Sequence, residues 1–339
     1  MSAFTVTAEF ASAKERAPGG IINAEAFQAL VDRGFEDVSK EVFDVVQEME
    51  AVVNVENVKY TTGKGISFPE LADKTIPISR DEDSPSYSTG ATGFEWEYDT
   101  NPFRRFIKFG RDAIEQDIDI GFANAMDRVE QLLKIHTETT EAWLADVFNR
   151  GDGDGGAGSQ CLSPDGGYLL DSDRPNPDLE AGSWGNLEAE GDLTQDTVFQ
   201  AAYNARMSIS SAGRLTSNTI KSMMIPAAWE GPAFTLFQSN QLIGTNYNDA
   251  SWASSKFNMD QVKVMSRLTS PIIYYWLCDP KSKDNPVRLA KFSDVKSKTW
   301  WGLGDNPDIM LARIRSRWGV YLRNDGRKAL RGGRLAADS

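Results

Sequence analysis

The chain has 339 residues, 40% of them apolar and 25% charged, with a formal net charge of −13 and a pI near 4.7. That length supports one large domain or two of ordinary size around a buried core, while the acidic balance argues against tight nucleic-acid binding, which needs a cationic footprint to release counterions. The longest apolar run, Ile272 to Cys278, has seven residues against the roughly 20 that cross a bilayer, and no basic-then-apolar leader opens the sequence, so no membrane partner and cytoplasmic synthesis are expected.

Cys161 and Cys278 lie far apart and form neither a disulfide framework nor a metal-ligand spacing. His136 is the single histidine. That removes most histidine-based zinc sites and leaves one candidate for any triad. No cofactor, no metal and no catalytic role are therefore expected.

In chain order, the first twenty residues are small and polar, ending in Pro18-Gly19-Gly20, and read as an arm. Asn23 is a candidate cap for a short helix over Ala24–Arg33, and Phe35, Val38, Val42, Val45 and Met49 mark a second. From Ala24 to Val58 nine acids face two bases, a local charge of −7. They form either a solvated helix face or one that meets a basic partner.

From Lys59 to Asp99 the pattern is a two-armed projection. Val55 to Thr61 is β-prone, and Phe94, Trp96 and Tyr98 alternate with Glu95 and Glu97 on a returning arm. Between them Pro69, Pro77, Pro85 and the acidic run Asp81-Glu82-Asp83 disfavour a central strand. Arms of 10 to 15 residues reach about 35–50 Å. A lone two-stranded hairpin is marginal in water, so this one is expected to pack outside its own globule. Thr62-Gly63-Lys64-Gly65 lacks the upstream glycine of a phosphate loop.

Phe103–Phe109 reads as a strand and Ile118–Phe148 as one long helix. Phe122, Met126, Val129, Leu133, His136, Thr140, Trp143 and Val147 form a narrow stripe on it, so His136 is expected to be partly buried and hydrogen-bonded. Gly151 to Gly158 is a glycine-rich loop. Its G-x-G-x-x-G follows a helix rather than a strand, so the dinucleotide reading fails. Asp152 and Asp154, with Asp171 and Asp173 nearby, allow at most a weak cation site, because the terminal glutamate of a calcium loop is absent.

The remainder reads as α/β. Thr194 caps a helix running to Ile209. Lys221–Ile225 is a strand, Pro226 opens a helix that continues over Trp229–Gln238, and Asn240–Ser254 is a polar loop. Gln261–Leu268 is a strand, and Ile272–Cys278, apolar on both faces, reads as a central one. Thr299-Trp300-Trp301-Gly302 opens the last segment, and Ile309–Tyr321 closes it as a strand with Arg313, Arg315 and Arg317 on one face, opposite Ile314 and Trp318. Eight bases against Asp325 alone occupy Arg313 to Arg334. This face suits either nucleic acid or the acidic helices or tip of a neighbouring copy.

Several segments resemble, in order, those of the tailed-bacteriophage major capsid protein, the Hong-Kong-97-type shell fold, and most nearly the Mu-type major head subunit. Asp165-Gly166-Gly167-Tyr168-Leu169-Leu170 precedes the first module helix. Ser222-Met-Met-Ile-Pro-Ala-Ala-Trp229 is strand, proline and helix. Gln261-Val-Lys-Val-Met265 with Ile272–Pro280 resembles the later paired strands, and Arg317-Trp-Gly-Val320 with Asn324-Asp-Gly-Arg327 the closing strand and turn. The resemblance spans about residues 30–330.

It implies an α+β phage capsid shell fold with five parts. Residues 1–58 would be an N-terminal arm with short helices, and 59–100 an extended β-hairpin loop lying across a neighbour. Residues 101–190 would be a peripheral domain with spine helix 118–148 and the glycine-rich loop. Residues 191–305 would be the axial α/β domain, and 306–339 a C-terminal strand returning to the peripheral domain, with a basic tail. The implied function is a major head protein that self-assembles into hexamers and pentamers of an icosahedral virion shell around double-stranded DNA, which it contacts weakly and without sequence preference. Assembly is expected in the host cytoplasm, with a separate scaffolding protein, a portal and a decoration protein as partners.

The expected inter-subunit contacts are Phe68, Glu70, Asp81, Glu82 and Asp83 on the loop, with Arg104, Arg105, Arg313, Arg315 and Arg317 on strands. Lys64 and Lys74 are present, but nothing marks cross-linking partners for them. Two other readings stay open. One is an encapsulin-like compartment or another virion part; the other is a glycoside hydrolase using Glu95, Glu97 or Asp171 with tryptophan platforms.

Overall fold

A computed structural model describes residues 48–58, 64–67, 96–99, 101–110, 118–153, 166–175, 183–187, 193–208, 218–238, 259–271, 273–278, 285–303, 306–322 and 330–334. The helices expected before residue 48, the hairpin tip and the loop over 240–254 lie outside them. Two four-stranded sheets organise the described residues.

The first sheet has the order β1 (Asn54–Asn57), β10 (Val287–Leu303), β11 (Asn306–Leu322), β4 (Asn101–Gly110). β1 runs parallel to β10, and the other two pairings are antiparallel. The projection appears as its base, where β2 (Lys64–Ser67) pairs antiparallel with β3 (Trp96–Asp99). A small ribbon pairs β5 (Arg174–Pro175) with β6 (Ser183–Trp184).

One face of the first sheet is covered by α1 (Ile118–Asn149), which ends one residue beyond the expected helix. Trp143 of α1 packs edge-on against Trp318 of β11 at 5.3 Å. Leu133, His136 and Thr140 keep the narrow stripe buried, and toward the C-terminal end Glu141, Leu144, Ala145, Val147 and Phe148 widen it. The widening has a cause: there the helix leaves a single sheet and lodges between two.

The second sheet has the order β12 (Leu330–Arg334), β9 (Ile273–Leu277), β7 (Ser222–Pro226), β8 (Val262–Met265). β9 is buried along its whole length. Its odd residues, Ile273, Tyr275 and Leu277, join the core that holds Leu144, Val147 and Phe148 of α1; Tyr274 and Trp276 join the core under α2 (Gln195–Arg206) and α3 (Glu230–Gln238). A strand loaded from both sides must be apolar at every position, which is how its sequence reads. Pro226 is the last residue of β7 rather than the first of a helix; the turn Ala227–Trp229 separates it from α3.

α2 begins as the sequence predicts. Thr194 Oγ1 accepts the Thr197 N–H at 3.4 Å and Thr197 Oγ1 accepts the Thr194 N–H at 2.9 Å, a reciprocal cap. The helix stops at Arg206, short of the expected Ile209.

Sheet membership departs from the expected division at residue 305. β10, placed by sequence in the axial part, forms a hairpin with β11 in the first sheet. β12, in the stretch expected to be a basic tail, pairs with β9 in the second. There Gly332 and Gly333 admit Leu170 and the Tyr274 ring to contact distances that any Cβ would occupy.

Candidate inter-subunit surface

β11 is the middle of three antiparallel strands, and its alternation sorts its side chains. Ser316 and Trp318 are buried toward α1. Arg313, Arg315 and Arg317 alternate with them and face away from the helix, Arg315 exposed and the other two half-buried. The register sets Arg104 of β4 directly across from Arg315, Phe106 across from Arg313 and Lys108 across from Leu311. Arg104 and Lys108 are exposed, and Phe106 is 54% exposed between them. On the other side, β10 puts Lys296 in register with Arg315 and Lys298 with Arg313.

The sheet thus presents a cationic face with an aromatic side chain in its midst. Like charges directly opposite on paired strands repel, so the Arg104–Arg315 pairing costs the isolated subunit stability. An anionic partner would relieve that cost.

The register thus adds Arg104 to the face on which strand alternation places Arg313, Arg315 and Arg317. Arg105 is not on that face. It lies on the opposite, helix-side face of β4, exposed, with its guanidinium carbon 5.9 Å from the Phe103 ring centre. Neighbours on a strand point to opposite faces, so Arg104 and Arg105 cannot serve one patch. Phe68, Glu70, Asp81, Glu82 and Asp83 lie outside the described residues.

Of the nine acids counted between Ala24 and Val58, the three among the described residues, Glu48, Glu50 and Glu56, are all engaged within the chain. Glu56 pairs with buried Arg288 and accepts the Tyr321 hydroxyl at 2.7 Å. Glu50 pairs with Lys291, and Glu48 accepts the Ser266 N–H at 3.1 Å. These carboxylates pin β1 and the segment before it to β10, to β11 and to the turn after β8, so they do not belong to a face for a partner.

His136 is buried on α1 as expected, its Nε2 hydrogen-bonded to Ser316 and its ring edge-on to Phe103 at 4.6 Å. Burial, assisted by the charge of Lys291, lowers its pKa to about 4. It is a neutral structural histidine. Asp171 accepts the Asp173 N–H at 3.1 Å, forming a local turn. Among the described residues no three His, Cys, Asp or Glu side chains converge as metal ligands, and Asp154 lies outside them.

Several locking residues give no sequence signal, because their partners are remote. Glu141 accepts the Met49 and Glu50 N–H groups at 2.7 and 3.0 Å, capping a turn some ninety residues away. Burial raises its pKa, and those two hydrogen bonds oppose the rise. Asn186 donates to the Leu169 and Leu330 carbonyls at 2.8 and 3.2 Å. Arg331 donates to the carbonyls of Gly185 and Asn204 at 3.1 and 3.4 Å.

No protein-family model matches the chain, and no curated protein matches it in sequence. Solved structures do match. A chain of the procapsid of bacteriophage JBD30 superposes with a TM-score of 0.50 at 12% identity, over 94% of this chain and 78% of that one. A chain from Mycobacterium phage Patience gives a TM-score of 0.50 at 10% identity, over 94% and 91%. A virus-like particle from Pyrococcus furiosus scores 0.44 at 8% identity, over 88% and 98%. With two sheets sharing a spine helix, a hairpin base leaving the first sheet and this likeness along nearly its whole length, the chain has the α+β fold of bacteriophage capsid shells.

Proposed function

We propose that this chain is a major capsid protein, the repeated subunit of an icosahedral bacteriophage shell built of hexamers and pentamers around packaged double-stranded DNA. The observation that carries the reading is the extent of the shell likeness, which runs along nearly the whole chain rather than over one module. The role is structural, with no catalytic step, and the protein resides in the virion.

The cationic sheet face supports this reading. On a chain of net charge −13, an Arg104–Arg315 pairing that costs the lone subunit stability makes sense where another copy supplies anions. The segment between β2 and β3 carries Phe68, Glu70, Asp81, Glu82 and Asp83, and in this reading they meet Arg104, Arg313, Arg315 and Arg317 of a neighbour. Obligate assemblies bury about 2,000 Å² or more per interface, and an outstretched hairpin is one way for a thin wall to reach that. The net negative charge would keep contact with DNA weak, leaving the genome mobile. A separate scaffolding protein, a portal and a decoration protein complete the proposed partners.

Negative-stain microscopy of the full chain tests the reading: rings or closed shells are expected, and a monodisperse monomer at high concentration would overturn it. Deleting residues 62–92 is expected to leave a folded subunit that no longer assembles. Normal particles from that deletion would remove the hairpin from the interface.

A further inference from the structure

We infer that the outer side of α2 seats the α3 helix of a second copy, so that successive subunits join head to tail around a ring. The inference rests on the shell reading and specifies one of its contacts.

α2 is apolar on two sides. Val198, Ala201 and Ala205 are fully buried against the second sheet. At about 100° per residue, Phe199, Tyr203 and Met207 fall on the opposite side, 48%, 52% and 48% exposed. Six large apolar side chains are exposed among the described residues; three belong to this one stripe, and a fourth, Phe234 at 54%, lies on α3. A helix apolar on both sides is ordinarily covered on both, and aromatic side chains and methionine are the types enriched where protein surfaces meet.

The placement of the two helices selects the partner. Both cover the same face of the second sheet. α2 lies beside β12, where Arg331 reaches the Asn204 carbonyl, and α3 beside the turn Met259–Gln261 that leads into β8. β12 and β8 are the two outer strands of that sheet. The two apolar patches therefore sit toward opposite ends of one module and differ from each other. Unlike patches at opposite ends make a heterologous contact rather than a two-fold dimer, and such a contact builds a ring when its rotation closes, as the shell reading requires.

Charge sets the direction. Exposed Arg206 adjoins Met207, and exposed Glu230 precedes Phe234 by one turn. If α3 lies antiparallel on α2 with Phe234 over Tyr203, Glu230 comes to Arg206.

The test uses the full-length chain, with assembly followed by sedimentation velocity and electron microscopy and the melting temperature of the dissociated subunit measured in parallel. Tyr203→Glu is expected to raise the concentration needed for assembly by about 30-fold, the scale of one interface hot spot, with the subunit's melting temperature unchanged. Arg206→Glu and Glu230→Arg are each expected to weaken assembly several-fold, and the double variant to recover it. Wild-type assembly by Tyr203→Glu, or no recovery in the double variant, overturns the helix pairing while leaving the shell reading intact. A lowered melting temperature for Tyr203→Glu would show that the chain itself covers the stripe, which also overturns it. If the wild-type protein never assembles, the shell reading fails first and this contact with it.

Discussion

At the scale of single residues, His136 shows how burial fixes chemistry. Its imidazole is enclosed by Phe103 and Ser316, with the Lys291 charge in range, and stays neutral down to about pH 4. In the unfolded chain the same group takes a proton near pH 6.5. The native state therefore holds its full advantage above pH 6.5 and loses it as pH falls toward 4. A difference of about 2.5 pKa units at 1.36 kcal/mol each is a loss of about 3 kcal/mol. Glu141 works with the opposite sign: its raised pKa favours the folded state at low pH, a contribution lost as pH rises through that pKa. Urea titrations of unassembled subunits should show wild-type stability declining between pH 6.5 and 4, with His136→Gln much flatter over that window. An equally steep decline in the variant would place the proton elsewhere.

At the scale of elements, regular strands were legible and irregular ones were not. β11 shows clean alternation from Ile309 onward, so its arginine face is readable from the order of residues alone. β10 is not. Its register shifts between Lys291 and Ser293 and again between Ser293 and Lys296, and each irregularity flips the inside-outside phase. Over its 17 residues no single alternation survives, which is why the strand that joins β1 to β11 escaped the sequence. The arginine ladder on β11 makes a prediction of its own. Arg315→Glu replaces a like-charged pair with an opposite-charged one across from Arg104, so the dissociated subunit should become more stable by about 0.5 kcal/mol. The same change should block assembly. Denaturant midpoints together with electron micrographs would decide: a less stable subunit would mean that this chain already balances the Arg315 charge.

At the scale of the molecule, the order of elements carried the fold, because helix caps, prolines and apolar periods are local signals. What that order could not convey is how tightly the parts are joined. The chain gives β7, β8 and β9 to the second sheet, returns through β10 and β11 to the first, and ends with β12 back in the second. Contacts such as Glu141 to Met49 and Asn149 to Arg267 span 92 and 118 residues, distances at which one sequence holds no record of pairing. One core results. Leu144 lies in it at zero exposure, together with Tyr275 and Leu277 from the second sheet and Leu289, Trp318 and Val320 from the first. Two sheets that share a core should open together rather than as separate cooperative units. Leu144→Ala should therefore cost about 2–5 kcal/mol, and hydrogen exchange should show β9 and β11 losing protection by the same amount. Loss confined to one strand would mean that the sheets unfold independently, and that a hinge rather than a common core joins the two halves of the subunit.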